Sequence, residues 1–170
     1  MPEFISSDTN VWIDFHAIDA VELPFRLPCT YVMWSEAVND EMKSPGGLKE
    51  KLLAAGLMPV EITAEEFWLA DGYSDRYVGL SAYDAVALAI AKSRRIALMT
   101  GDRRLRHAAD DEGVAVTGTI GILDRLLSAG LADIKEYRTC IASLLNVNGG
   151  IVRLPEDELH KRLGNEADSS

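Results

Sequence analysis

Cysteine is scarce in this chain of 170 residues: Cys29 and Cys140 stand far apart, with no CxxC pair between them. That spacing excludes a disulfide scaffold and a cysteine zinc site, so both are read as reduced thiols. Histidine is equally sparse, and His16, His107 and His160 form no catalytic pair. Positive charge is in deficit, with 17 Lys and Arg against 27 Asp and Glu, a net charge of -10 and a pI near 4.7. Such a balance argues against broad electrostatic attraction to nucleic acid or to an anionic membrane. It leaves room for a local basic face, and Lys92, Arg94, Arg95, Arg103, Arg104, Arg106 and His107 crowd into one short region. No apolar run is long enough to span a bilayer. The opening MPEFISSDTN has neither the cationic start nor the apolar segment of a signal peptide, so the expectation is a soluble cytoplasmic protein. No internal repeat or low-complexity block is present.

What the chain does have is a hydrophobic content of 48%, enough for one domain with a proper core. The reading divides it into a main domain over 1–145 and a C-terminal extension over 146–170, whose last residues, Asn165 to Ser170, form a disordered tail. Glu3 to Ser7 reads as a short strand, Asp8 as its junction, and Val11 to Phe15 as a brief apolar helix. Pro24 and Pro28 mark a loop. Thr30 to Trp34 has the β-branched and aromatic bias of a second strand, and SEAVNDEM continues as a helix with Ser35 as its N-cap. A turn at Ser44 to Gly47, an amphipathic helix through Ala55 and an apolar segment from Leu57 to Ile62 come next. Thr63 and Glu66 have capping-box form, and Asp71 to Gly79 reads as a polar loop or frayed helix end.

The stretch from Gly79 to Arg106 carries helix, turn and strand with an aspartate at each key junction. Ser81 and Asp84 precede an apolar run at helical spacing (Ala85, Val86, Ala89, Ile90), which has the form of a helix start. Ile96 to Thr100 is strand-like, and Gly101-Asp102 follows at what would be the strand's carboxyl end, the edge where α/β folds place their sites. A helix from Arg103 to about Glu112, a strand at Val114 to Thr117 and helices at Ile120 to Ala129 and Ile134 to Leu145 complete the domain. Beyond the hinge Asn148-Gly149-Gly150, Ile151 to Leu154 is extended and Pro155 opens a last helix. Alternating strands and helices with short connections predict an α/β fold, a mainly parallel sheet of four to five strands flanked by helices.

Each aspartate has a plain structural reading: Asp8 and Asp102 could N-cap the helices after them, and Asp84 could close a capping box. Three aspartates at strand ends and a helix start, with an acid after the second strand, could instead converge at one sheet edge. Spacing alone leaves Glu36, Asp40 and Glu41 open as that fourth acid. Crowded carboxylates repel and raise one another's pKa, so a convergent cluster calls for a divalent cation. Hard oxygen donors favour Mg²⁺ or Mn²⁺ over zinc, and such a site suits phosphodiester hydrolysis.

Four pieces carry a family resemblance: SSDTNVW around Asp8, the EAVNDEM helix, LSAYDAVALAIA around Asp84 and LMTGDRRLRHAA around Asp102. In this order and spacing the chain resembles the PIN-domain ribonucleases, of the kind that includes VapC-type toxins of toxin–antitoxin pairs. The segments GTIGILDRLLSAGL and GGIVRLPEDELHKRL are similar to the C-terminal region of one PIN branch. The resemblance implies that Asp8, Glu41, Asp84 and Asp102 are the catalytic and metal-holding acids. Glu41 is selected over Glu36 because Val38 and Met42 supply the apolar residues that the family places around it. Thr9, Asn10, Ser81 and Thr100 would orient ligands or water, and Arg103, Arg104 and Arg106 could hold RNA phosphates. Also implied are an RNA substrate cut to 5′-phosphate and 3′-hydroxyl ends, Mg²⁺ or Mn²⁺ as cofactor, a homodimer and a small inhibitory antitoxin. Other readings are a catalytically silent PIN-like module that binds RNA or protein, a haloacid-dehalogenase-like phosphatase, and an α/β domain whose aspartates are all caps. The phosphatase expects an acid where Asn10 stands, and a lysine before the Gly-Asp motif that this chain lacks. Trp12, Trp34 and Trp68 are interleaved with apolar residues and are read as core or dimer contacts rather than base-stacking platforms.

Overall fold

The computed structural model describes residues 2–164, so the tail expected over Asn165 to Ser170 lies outside the described residues. Five parallel strands form one sheet in the order β3-β2-β1-β4-β5. They are β1 (Glu3–Ser7), β2 (Cys29–Trp34), β3 (Met58–Val60), β4 (Ala97–Met99) and β5 (Val116–Thr117). Helices α1 (Thr9–Ala17), α2 (Ser35–Glu41), α3 (Leu48–Ala55), α4 (Ala64–Arg76), α5 (Ala82–Arg94), α6 (Arg103–Asp111), α7 (Thr119–Ser128), α8 (Ile134–Val147) and α9 (Glu156–Gly164) flank it.

The alternation of side chains along the strands divides the interior into two cores. Ile5, Tyr31, Met33 and Met99 face one core with α1, α2, α3, α7, α8 and α9. Val32 and Leu98 face the other, with α4, α5 and α6. A sheet covered on both faces explains why its central strands read as near-continuous apolar runs. Leu159 of α9 is fully buried in the first core, and Arg162 on the same helix bonds Asp124 of α7 at 2.7 Å.

Chain order puts β2 and β3 on one side of β1 and then β4 and β5 on the other, so the connections after β1 and β4 leave in different directions. That switch point opens a crevice at the carboxyl ends of β1 and β4. Asp8 and Asp102 follow these two strands, and Asp8 N donates to Met99 O at 3.0 Å across the pair.

Three local expectations need correction. The segment from Asp71 to Gly79 is helical through Arg76, because Ala70 and Tyr73 are buried three residues apart and hold the helix against α5. Ser35 does not cap α2: its hydroxyl donates to Glu61 Oε1 at 2.6 Å, and α2 has no side-chain N-cap. The loop at Pro24 contains a 3-10 turn, Leu23–Arg26, whose Phe25 stacks on Trp12 at 5.2 Å. Of the tryptophans, Trp12 is fully buried, whereas Trp68 is 68% exposed on the outer face of α4 and is no core residue.

Candidate active site

Asp8 sits in the crevice at the end of β1 and is only 5% exposed. Its Oδ1 accepts from Thr9 N at 2.8 Å, as the N-cap of α1, and its Oδ2 accepts from the Thr100 hydroxyl at 2.9 Å. The same Thr100 oxygen accepts from Asp102 N at 3.1 Å, so one buried threonine at the end of β4 links two of the acids. Asp102 then caps α6, its Oδ1 accepting from Leu105 N at 2.9 Å. Asp84 completes a reciprocal capping box with Ser81 at the start of α5, accepting from Ser81 N at 3.0 Å while Asp84 N donates to Ser81 Oγ at 3.1 Å. Glu41, the last residue of α2, reaches the first turn of α1, where Thr9 Oγ1 donates to its Oε1 at 3.0 Å.

Capping and convergence therefore coexist. Each cap fixes a carboxylate at a helix N-terminus, where the partial positive charge of the unpaired N–H groups favours an anion, and all three helix starts face one sheet edge.

The electrostatics link the four acids. Burial, the charge of Asp84 and, less strongly, that of Glu41 raise the Asp8 carboxyl from 3.8 to about 7, with the bonds from Thr100 and Thr9 opposing. Glu41 is raised by burial and by the charges of Asp84 and Asp40, and Asp84 by burial and by the charge of Asp102. Among the described residues, no cation is among the charges acting on these three groups. This is an uncompensated anionic site of hard oxygen donors, without cysteine or histidine, and its chemistry fits Mg²⁺ or Mn²⁺. Among the described residues no three Asp, Glu, His or Cys side chains stand close enough to enclose an ion. The two facts agree, because charges couple across distances well beyond a coordination bond. The acids share a field while their side chains remain more open than a closed ligand shell.

The flanking residues divide. Thr9, Ser81 and Thr100 each hold a site carboxylate as described. Asn10 is exposed on the first turn of α1 and makes no side-chain hydrogen bond among the described residues. The basic run separates into two groups. Arg94 is bonded to Glu66 at 2.8 Å, and Lys92 donates to Glu112 O. Both sit in the last turn of α5, about 12 to 15 Å along the helix axis from Asp84. Arg103, Arg104 and Arg106 stay beside Asp102 in the first turns of α6. Arg104 lies over Gly79, where a Cβ would meet its Nη1 at 2.6 Å, a contact the flexible arginine can relieve; the φ of +92 at Gly79 is what favours glycine there. Arg106 lies on the β5 side, with its Nη2 3.4 Å from Thr100 O.

Sequence reasoning missed Tyr83 and Trp34. With Asp8, Glu41, Met33 and Ala37 they line a small recess beside the acids. Tyr83 precedes Asp84 in LSAYDAV, and that adjacency was the only available signal. A further buried acid, Asp14 on α1, is raised to about 6 by burial against the bond from Thr119. It ties α1 to α7 and stands apart from the cluster.

The parallel α/β sheet thus carries at its switch-point edge, where such folds place their sites, a set of hard oxygen donors suited to a divalent cation. Residues 4–165 match the family described as DUF3368: PIN domain, and the chain belongs to the PIN-domain family. PIN domains are generally nucleases and typically use divalent metal ions. No curated protein and no solved structure matches the chain. No helix among the described residues is long and apolar enough to cross a membrane.

Proposed function

We propose that the protein is a Mg²⁺- or Mn²⁺-dependent endoribonuclease and the toxin of a toxin–antitoxin pair. The observation that carries the catalytic part is the cation-free coupling of Asp8, Glu41, Asp84 and Asp102 at one sheet edge. These four would hold the metal, which supplies activation of water and stabilisation of the departing oxygen during phosphodiester hydrolysis. The chain's own contribution is placement. Thr100 holds Asp8 and Asp102 at fixed separation, Thr9 orients Glu41, and the Ser81 capping box orients Asp84. Arg104 and Arg106, on opposite sides of Asp102, would hold phosphates flanking the scissile bond. The antitoxin would be a small polypeptide with a basic segment complementary to the acidic crevice, and the working unit would be a homodimer.

The test is cleavage of a mixed pool of structured and unstructured RNAs by protein freed of copurifying polypeptide, with Mn²⁺, Mg²⁺ or EDTA, alongside Asp102→Asn. Asparagine caps about as well as aspartate, so the variant should keep its stability to within about 0.5 kcal/mol while losing metal-dependent cleavage. Cleavage that persists in EDTA and in the variant would sink the reading.

A further inference from the structure

Glu41 and Asp84 lie on separate helices and repel, yet nothing in the helices' own capping holds α2 against α5. α2 has seven residues and no side-chain N-cap. Its last turn is held from outside: Lys49 Nζ donates to Asn39 Oδ1 at 2.8 Å, Thr9 holds Glu41, and the Tyr83 hydroxyl donates to Asp40 Oδ2 at 2.7 Å. Only the last of these reaches α5. Asp40 immediately precedes Glu41, and Tyr83 immediately precedes Asp84, so this bond runs alongside the two repelling carboxylates. The Tyr83 ring is fixed by Trp34 at the end of β2, with centroids 5.8 Å apart, and both rings line the recess next to Asp8 and Glu41.

We propose that Tyr83 is a positioning residue, clamping α2 to α5 through Asp40 and so keeping Glu41 and Asp84 near enough for a divalent cation to draw them together. The inference rests on the metal-nuclease reading. A hydrogen bond from a neutral phenol to a carboxylate is among the stronger ones, and it supports the approach of two like charges without contributing a ligand. Its loss widens the site and weakens cation binding, while a saturating cation draws the acids together again. The defect therefore falls on metal affinity more than on the maximal rate.

Mn²⁺ affinity is measured by calorimetry on the full chain, with cleavage followed as a function of Mn²⁺ and thermal melting in EDTA as the control for folding. Tyr83→Phe keeps the ring against Trp34 and removes only the hydroxyl. The expected result is about five- to ten-fold weaker Mn²⁺ binding, corresponding to loss of a charge-assisted hydrogen bond at a solvent-exposed position, with cleavage recovering at saturating Mn²⁺. Asp40→Asn retains an acceptor oxygen for the phenol and should bind nearly as the natural protein does. Asp40→Ala should match Tyr83→Phe, and the double variant should be no worse than either single one. If Asp40→Asn loses as much affinity as Asp40→Ala, Asp40 acts by its charge and the clamp is overturned. Unchanged Mn²⁺ affinity in Tyr83→Phe overturns it as well. Absence of Mn²⁺ binding by the natural protein would instead refute the metal-nuclease reading itself.

Discussion

Replacing Asp8 with asparagine should make the cation-free protein more stable at alkaline pH, although it removes a site acid. A carboxyl raised from 3.8 to about 7 in the folded state favours folding when protonated. That advantage is complete below pH 3.8 and is lost as pH rises through 7. At about 1.4 kcal/mol per pH unit the ionised folded protein forfeits about 4 kcal/mol by pH 8 to 9. Asparagine escapes this cost. Its oxygen can still accept from Thr9 N, but its amide can only donate to the Thr100 oxygen, which leaves the Thr100 hydroxyl proton without the acceptor it had. One misdirected buried hydrogen bond costs about 1 kcal/mol. The variant should therefore be less stable by about 1 kcal/mol near pH 3, equal near about pH 4.5 and more stable by about 3 kcal/mol above pH 8. Urea denaturation in EDTA across this range measures the difference directly. The titration of Asp14 contributes equally to both proteins and cancels. Adding Mn²⁺ should stabilise the natural protein far more than the variant. A variant less stable than the natural protein at pH 8 in EDTA would refute the claim that Asp8 is a buried, uncompensated acid.

Glu66 is 1% exposed, and burial alone would raise it, but its bonds from Arg94 and Thr63 hold it below its ordinary 4.5. Arg94→Ala leaves that carboxylate without its cation and should cost about 2 to 4 kcal/mol at pH 7. With a lowered folded pKa the pair stabilises above pH 4.5 and fails as pH falls through the lowered value, so the deficit should shrink in acid. Urea midpoints at pH 7 and 4 check both statements. Arg104→Ala and Arg106→Ala, each in the cleavage-silent Asp102→Asn protein, should weaken RNA binding and reduce the slope of log affinity against log salt by about 0.7 to 1. Lys92→Ala, at the far end of α5, should leave that slope unchanged; an equal effect there would remove the arginines' special place.

Junction residues were the legible part of the site. Asp8, Asp84 and Asp102 each stand where a strand ends or a helix begins, and the chemistry that makes a good cap marks these places locally. Ser81 and Asp84 form the expected capping box because its pattern spans only three residues. Glu41 was less legible: three acids share its helix, and what separates it from Asp40 is the neighbouring element that each side chain meets. Thr9 meets Glu41, whereas Tyr83 meets Asp40. Trp68 was read as a core or dimer contact, and its exposure removes only the core alternative, since apolar neighbours in sequence do not decide which face of α4 packs on α5.

By itself the sequence determined the strand and helix types, the parallel α/β class and the three aspartates at element boundaries. Those properties follow from periodicity, capping and turn chemistry acting within a few residues. Tertiary structure decided the strand order, and with it the switch point that brings the ends of β1 and β4 together. It also dispersed the basic run, sending Arg94 to a buried partner and leaving Arg104 and Arg106 at the crevice. The shared field of the four acids belongs to that level as well, because charge, burial and hydrogen bonding act through space between residues as far apart in the chain as Asp8 and Thr100.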